Sequence, residues 1–235
     1  MRTDHPPAPA LQAHYDAMWE HAFAAVAAGD IDRDPRLCAG PDPRRGLTLI
    51  ARPGPALATR LDALLERLGA LEPGQYRHPR ADMHLTVLSL FTVGDAPATA
   101  LARLADYRAA VREAVRGIAP FAIDFRGITL SRGAVLACGY PQGPMLETLR
   151  ERLRAGLRER ELDGTLDQRY RLVTAHATLL RFARPLHQPA RFARALAAWR
   201  DEPLGIMRVE EVRLVVNDWY MSIGSLQEIA RYPLA

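Results

Sequence analysis

The sequence contains no lysine, so each of its 31 basic residues is an arginine. Arginine binds phosphate well through its planar guanidinium, but these arginines are spread over the whole chain and are not clustered as in a nucleic-acid interface. We therefore interpret them mainly as a compositional bias. The net charge of +4 is compatible with an anionic substrate without demonstrating one.

Cysteine is also scarce. Cys38 and Cys138 are far apart and follow no metal-binding spacing, which argues against a disulfide framework and a zinc site. We expect both to be buried thiols. Carboxylates and histidines show no recognisable metal-ligand spacing either. We therefore expect neither a metal nor any other cofactor.

Long apolar runs are absent, and no stretch approaches the roughly 18 residues that a membrane helix needs. The first residues hold an early acid and two prolines with no apolar stretch behind them, unlike a secretory signal. Hydrophobic residues make up 49% and charged residues 25%, as is ordinary for a globular protein. We expect a cytoplasmic protein that has no membrane partner.

The chain divides into two regions of different character. Residues 1–45 combine a proline-rich start, an expected helix over 11–28 and a polar linker, and we interpret them as an N-terminal helical extension. Residues 46–235 alternate between strand-like and helix-like patterns. This second region is predicted to form the main domain.

The main domain is an internal repeat with halves of about 46–133 and 134–235. A G-P-x-L-x-T segment begins at Gly54 and again at Gly143, with proline at the first turn of an expected helix. Each helix leads to a strand that carries histidine. This order predicts an α+β fold with two pseudo-symmetric lobes. Each lobe is a mostly antiparallel sheet with helices packed outside, and the two lobes enclose a central cleft.

The two histidine strands share the pattern H-h-T-h, where h is apolar: His84 with Thr86 in the first half, and His176 with Thr178 in the second. Residues i and i+2 of a strand face the same side, so each histidine and its threonine point together. One such pair is more often a satisfied core pair than a catalyst. Two pairs at matching points of a repeat are not expected by chance, which makes these residues the leading catalytic candidates.

The second motif continues to Arg181 as H-h-T-h-x-R. Together the motifs resemble the two-histidine (2H) phosphoesterase superfamily, which includes bacterial RNA 2′,3′-cyclic phosphodiesterases, also called 2′-5′ RNA ligases. The resemblance runs from about residue 46 to the C-terminus and leaves out the extension. It implies a phosphodiesterase that acts on a 2′,3′-cyclic phosphate or a related RNA or nucleotide phosphodiester.

The chemistry of such a reaction asks for these residue types. In-line hydrolysis needs a base for the incoming water and an acid for the departing oxygen. Two histidines, with ordinary pKa values of about 6.5, hold opposite protonation states near neutral pH. The threonine hydroxyls can donate to the non-bridging oxygens. We expect metal-independent catalysis with a bell-shaped pH profile near neutrality; which histidine is the base stays open.

Three more residues are substrate-binding candidates besides Thr86 and Thr178. Arg181 ends the second motif strand and can contact a phosphate, and Arg52 lies at the turn before Gly54. Tyr76 can stack on a nucleobase. Three other aromatic residues can stack in the same way, although each is more often core or rim filler: Tyr140, Trp219 and Tyr220.

The remaining histidines lack the motif, and we expect all of them to be solvated. They are His5, His14 and His21 in the extension, and His78 and His187 in loops.

Two alternatives to the enzyme remain open. The chain can be a nucleotide or RNA-binding module that keeps the fold without useful turnover, although two intact motifs favour catalysis. The histidines can also be ligands of a hydrolytic metal, but no third ligand is recognisable. In the favoured interpretation the partner is a small nucleotide or an RNA end, and the protein is a monomer.

Overall fold

The computed structural model describes residues 8–94, 97–168 and 170–235. Its α-helices are Ala8–Ala28 (α1), Pro55–Leu71 (α2), Ala98–Ala102 (α3), Leu104–Val115 (α4), Met145–Glu159 (α5) and Pro189–Ala197 (α6). Its strands are Arg45–Ala51 (β1), Tyr76–Arg77 (β2), Leu85–Gly94 (β3), Phe121–Ser131 (β4), Ala134–Gln142 (β5), Ala177–Arg181 (β6), Pro203–Val209 (β7), Glu211–Asn217 (β8) and Gln227–Pro233 (β9). Short 3-10 helices lie at Pro35–Cys38 and Arg80–Asp82.

The repeated helices form where the leucine periodicity is strongest. Each begins at the G-P-x-L-x-T segment, and its leucines at helical spacing are buried. In α2 these are Leu57, Leu61, Leu64, Leu65 and Leu68, and in α5 they are Leu146, Leu149, Leu153 and Leu157. These leucines join one continuous apolar core that also contains side chains from both sheets.

The strands of the described residues form two antiparallel sheets. The first has the order β3-β1-β8-β9, and the second has the order β2-β6-β5-β4-β7. Apart from the short β2, the orders match: the strand that follows each motif histidine pairs with the strand that precedes a repeated helix, β1 or β5. The α+β fold with two similar antiparallel lobes is confirmed.

The two halves of the main domain are interlocked. Strand β4 of the first half belongs to the second sheet, while β8 and β9 of the second half belong to the first sheet. The repeated helices cross over as well, because α2 packs on β6 and β7 whereas α5 packs on β3. The predicted boundary near residues 133 and 134 therefore does not separate the two sheets.

The N-terminal extension is packed against the main domain. Helix α1 contacts α6, β4 and β5. The linker after it follows the second sheet, where the amide of Asp32 donates to the carbonyl of Arg132 at 2.8 Å and that of Asp34 to the carbonyl of Phe182 at 2.9 Å. Residues 1–7, which include His5, lie outside the described residues.

Arg150 of α5 connects the two motif segments through its guanidinium. The group donates to the carbonyls of Thr86 and Val87 in β3, at 3.2 and 2.8 Å. It also donates to the carbonyls of Val173 and Thr174, at 3.4 and 2.7 Å, just before His176. Burial lowers the pKa of Arg150 to about 10, so the group stays charged at neutral pH. One buried cation thus holds the two segments together.

Replacing Arg150 with methionine is expected to destabilise the protein strongly. The change leaves several buried carbonyl groups without donors, and each such group costs about 1–3 kcal/mol. We expect the free energy of unfolding to fall by about 3 kcal/mol or more in a urea titration. The matched control is Arg152→Met on the exposed face of the same helix, which should change stability little. Equal losses in the two variants would contradict the structural role given to Arg150.

Candidate active site

One cleft between the sheets brings most of the predicted site residues together. Its volume is about 230 Å³, a little below the roughly 300 Å³ at which typical small-molecule sites begin. His84, Thr86, His176, Thr178 and Arg181 all line it. The other lining residues are Thr48, His78, Leu88, Ser89, Thr92, Val93, Asp167, Gln168, Tyr170, Leu172, Trp219, Tyr220 and Met221.

A β-bulge in β6 explains how Thr178 and Arg181 both reach the cleft. Residues three apart on a regular strand face opposite sides. The register of the β5–β6 pair shifts by one residue after Thr178, so Leu179 is an extra residue on β6. A bulge of this kind resets the alternation of side chains. Arg181 therefore lines the cleft together with the motif threonine.

The first motif strand contains the same irregularity. The register of the β1–β3 pair shifts after Thr86, which makes Val87 the extra residue. Three positions beyond Thr86 is Ser89, which also lines the cleft. The two motifs thus place different groups at equivalent positions: a neutral hydroxyl from the first strand, and the guanidinium of Arg181 from the second.

His84 lies one residue before β3, and its ring orientation is fixed by the turn that precedes it. The ring Nδ1 is 2.8 Å from the carbonyl oxygen of Asp82. Because a carbonyl only accepts, Nδ1 carries the hydrogen and the lone pair of the neutral ring is on Nε2. Burial lowers the pKa of His84 to about 4.

Arg52 binds the backbone of this turn and does not line the cleft. Its guanidinium donates to the carbonyls of Ala81 and Met83, the second at 3.2 Å. It belongs to a separate surface pocket that also contains Arg80 and Arg213. The structure therefore does not bring Arg52 to the other predicted substrate-binding residues.

His176 also lies one residue before its strand, but it has a different partner. Its Nδ1 is 2.7 Å from the hydroxyl oxygen of Thr174. A hydroxyl can donate or accept, so this contact does not fix the tautomer. Burial, together with the nearby charges of His84, Arg150 and Arg181, lowers the pKa of His176 to about 4.

Arg181 is a half-buried cation that forms no ion pair within the part of the chain that the structure describes. Burial lowers its pKa, and its Nε is inaccessible and makes no hydrogen bond to the described residues. The guanidinium lies 6.0 Å from the centre of the Tyr220 ring. A charge that is partly removed from water and has no counter-ion within reach is unfavourable. The cleft is consequently suited to an anion.

His78 was expected to be solvated, and this was wrong. It is 3% exposed, it lines the cleft, and burial lowers its pKa to about 3. Neither ring nitrogen has a partner among the described residues. The backbone explains its position, because its amide donates to the carbonyl of the bulged Leu179 at 2.8 Å. The two-residue strand β2 that delivers it is too short to show a pattern in the sequence. His14, His21 and His187 are exposed as expected.

The aromatic candidates are divided between the cleft and its surroundings. Trp219 and Tyr220 line the cleft, as does Tyr170, which the sequence did not single out and which is 65% exposed. Tyr76 lies in a neighbouring pocket, with its ring centre 5.1 Å from that of His78. Tyr140 packs elsewhere, on α1. The structure therefore places neither Tyr76 nor Tyr140 among the residues that line the cleft.

Three expectations about metals, thiols and membranes can be compared with the described residues. They contain no cluster of three or more histidine, cysteine or carboxylate side chains that could hold a metal ion. Cys138 is buried, but Cys38 is exposed, so the expectation for Cys38 was wrong. Within the same residues, no helix is both long and apolar enough to cross a membrane.

Comparisons with known proteins bear on the fold and the family. Two solved structures share the fold. TT0787 of Thermus thermophilus has a TM-score of 0.56 at 22% identity, over 81% of this chain and 97% of that one. Escherichia coli LigT complexed with 3′-AMP has a TM-score of 0.53 at 16% identity, over 82% of this chain and 99% of that one.

A second LigT structure, complexed with NADP+, has a TM-score of 0.52 at 15% identity, over 81% of this chain and 98% of that one. No curated protein sequence gives a significant match. The model of the 2′-5′ RNA ligase superfamily matches residues 53–219, more than half of the chain and both motifs. The resemblance to the two-histidine phosphoesterases is thereby confirmed, and the chain belongs to the 2′-5′ RNA ligase superfamily.

Proposed function

We propose that this protein is a metal-independent phosphodiesterase that hydrolyses a 2′,3′-cyclic phosphate or a related nucleotide phosphodiester. The observation that carries the proposal is the convergence of two histidines, two threonines and the cation Arg181 on one cleft. The cation supplies the charge that a phosphate needs, and the threonine hydroxyls supply neutral donors for its non-bridging oxygens. One histidine can take a proton from the incoming water, and the other can give a proton to the departing oxygen.

The different partners of the two histidines favour different roles. A carbonyl that accepts from Nδ1 stabilises the charged ring of His84, whereas the hydroxyl of Thr174 gives His176 no such fixed acceptor. We therefore assign His84 as the general acid and His176 as the general base. His176 takes a proton from water as the water oxygen bonds to phosphorus. His84 protonates the ribose oxygen as its bond to phosphorus breaks, leaving a phosphomonoester.

A nucleotide substrate is supported by two further observations. LigT has been crystallised with 3′-AMP and with NADP+, and the cleft of this chain carries the exposed ring of Tyr170 at its edge. Aromatic side chains of this kind stack on nucleobases, typically for about 1–3 kcal/mol. A cytoplasmic location and a monomeric state remain predictions.

The central prediction concerns the two motif histidines. His84→Ala and His176→Ala should each lower kcat/KM by at least about a hundredfold, the low end for one positioned proton-transfer group. The double variant should lose much less than the product of the two losses, because both groups act on one transition state. Steady-state kinetics on a 2′,3′-cyclic nucleotide measures these values.

His187→Ala, in an exposed loop, is the control and should match the wild type. Wild-type turnover in a folded His84→Ala or His176→Ala would refute catalysis by these residues. If instead the wild type binds the nucleotide without turning it over, the chain is a binding module.

The assignment of acid and base can be tested by changing the leaving group. A nucleoside phosphodiester with a nitrophenol leaving group needs no protonation as it departs. His84→Ala should therefore recover most of the wild-type rate on this substrate, while His176→Ala should not. A recovery seen only in His176→Ala would reverse the assignment, and recovery in neither would argue against a separate acid.

The pH profile is expected to lie on the acid side of neutrality, which revises the optimum expected from ordinary histidines. Burial lowers the pKa values of both His84 and His176 to about 4, and kcat/KM reports the groups of the free protein. Raising the pH above these values removes the proton that the acid must carry, so kcat/KM should fall between mildly acidic pH and pH about 8. A bound phosphate favours the charged ring, so the pH optimum of kcat should be higher than that of kcat/KM. A kcat/KM that rises over this range would contradict the prediction.

A further inference from the structure

Tyr15 of the N-terminal helix reaches the backbone directly before His176. It is fully buried. Its backbone carbonyl accepts from the hydroxyl of Thr129 in β4 at 2.8 Å, and its ring lies 5.5 Å from that of Tyr140 in an edge-on contact. The backbone and the ring of Tyr15 are thus both held against the second sheet.

The hydroxyl of Tyr15 fills a gap in the sheet. Strands β5 and β6 pair with Ala137 opposite Ala177, and the same register continued would place Gly139 opposite Ala175. Strand β6 starts only at Ala177, so this last rung has no direct bond. Instead, the Tyr15 hydroxyl donates to the carbonyl of Gly139 at 3.1 Å and accepts from the amide of Ala175 at 3.1 Å. Burial raises the pKa of Tyr15, so the hydroxyl keeps its proton.

The segment that contains Ala175 also packs very closely against Gly139 of β5. A Cβ atom at Gly139 would lie 2.0 Å from the carbonyl oxygen of Ala175, so only glycine allows the segment to approach β5 so closely. The residue before Ala175 is Thr174, whose hydroxyl contacts the ring of His176. Any shift of Ala175 therefore moves both the backbone of His176 and the partner of its ring.

We propose that Tyr15 is a positioning residue for His176, and that the N-terminal helix is consequently part of the machinery of the site. Helix α1 lies outside residues 53–219, which match the superfamily. The extension thus supplies a hydrogen-bonded rung to the segment directly before β6, which carries His176. The kinetic part of this inference rests on the proposed function, while the position of the His176 ring does not.

The experiment compares Tyr15→Phe with the matched control Tyr107→Phe. Tyr107 is also buried, and its hydroxyl donates to the carbonyl of Leu162 at 3.3 Å, away from the cleft. Both variants lose one buried hydroxyl; that of Tyr15 makes two hydrogen bonds and that of Tyr107 makes one, so kcat is compared at a temperature at which both variants stay folded. We expect kcat of Tyr15→Phe to fall by about tenfold with little change in KM, because small displacements of a catalytic group cost up to about a hundredfold. Tyr107→Phe should keep the wild-type kcat.

Two NMR measurements separate this proposal from the proposed function. In a pH titration that needs no turnover, the ring signals of His176 should differ between Tyr15→Phe and the wild type, while those of His84 should not. The charged groups that act on His176 are His84, Arg150, Arg181 and His14, and all four are present in both proteins. In the wild type, the Ala175 amide should resist hydrogen exchange as well as the Ala177 amide does.

The kinetics and the NMR signals of Tyr15→Phe together decide whether Tyr15 positions His176. An unchanged kcat together with unchanged His176 signals in folded Tyr15→Phe would overturn the proposal. An equal loss of kcat in Tyr107→Phe would do the same, because the effect would then follow from stability alone. If Tyr15→Phe does not fold, rapid exchange of Ala175 in the wild type overturns the proposal, and protection supports it. Altered ring signals without any measurable wild-type turnover would uphold the positioning role and count against the proposed function alone.

Discussion

The arrangement of the site depends on one buried guanidinium. Arg150 donates to carbonyls in β3 and to carbonyls in the segment before His176, so it sets the distance between the two motifs. Its planar group has five donors in a fixed geometry, which suits carbonyls that converge from two directions. A lysine has a single point of charge and cannot connect both segments in this way. The two motif segments are therefore held in a fixed arrangement by a residue that does not itself line the cleft.

Around this connection the two halves of the main domain are interlocked, since strands and helices of each half complete the lobe of the other. The two lobes place two equivalent motifs on one cleft, and small local differences then make them unequal. His84 faces a carbonyl where His176 faces a hydroxyl, and Ser89 occupies the position that corresponds to Arg181. A symmetric fold thereby yields an asymmetric site, which acid–base chemistry on one phosphate requires.

The sequence predicts those features that local periodicity controls. The buried leucines of α2 and α5 and the matching H-h-T-h motifs are visible because their spacing reflects helix and strand geometry. The bulges at Val87 and Leu179 were not predictable, because they depend on pairing with another strand. His78 was misjudged for a similar reason, since β2 exists only through its pairing with β6. The role of Arg150 was not predicted, because the many arginines of the chain were interpreted as a compositional bias.

The central claim is that this cleft hydrolyses a phosphodiester with protein side chains alone. The most direct test incubates the purified protein with a 2′,3′-cyclic nucleotide in isotopically labelled water with excess chelator, and follows the phosphorus by NMR and mass spectrometry. The account predicts ring opening at an undiminished rate, to a nucleoside monophosphate that carries one labelled oxygen on phosphorus. Absence of ring-opened product, or loss of the reaction on chelation, would contradict it.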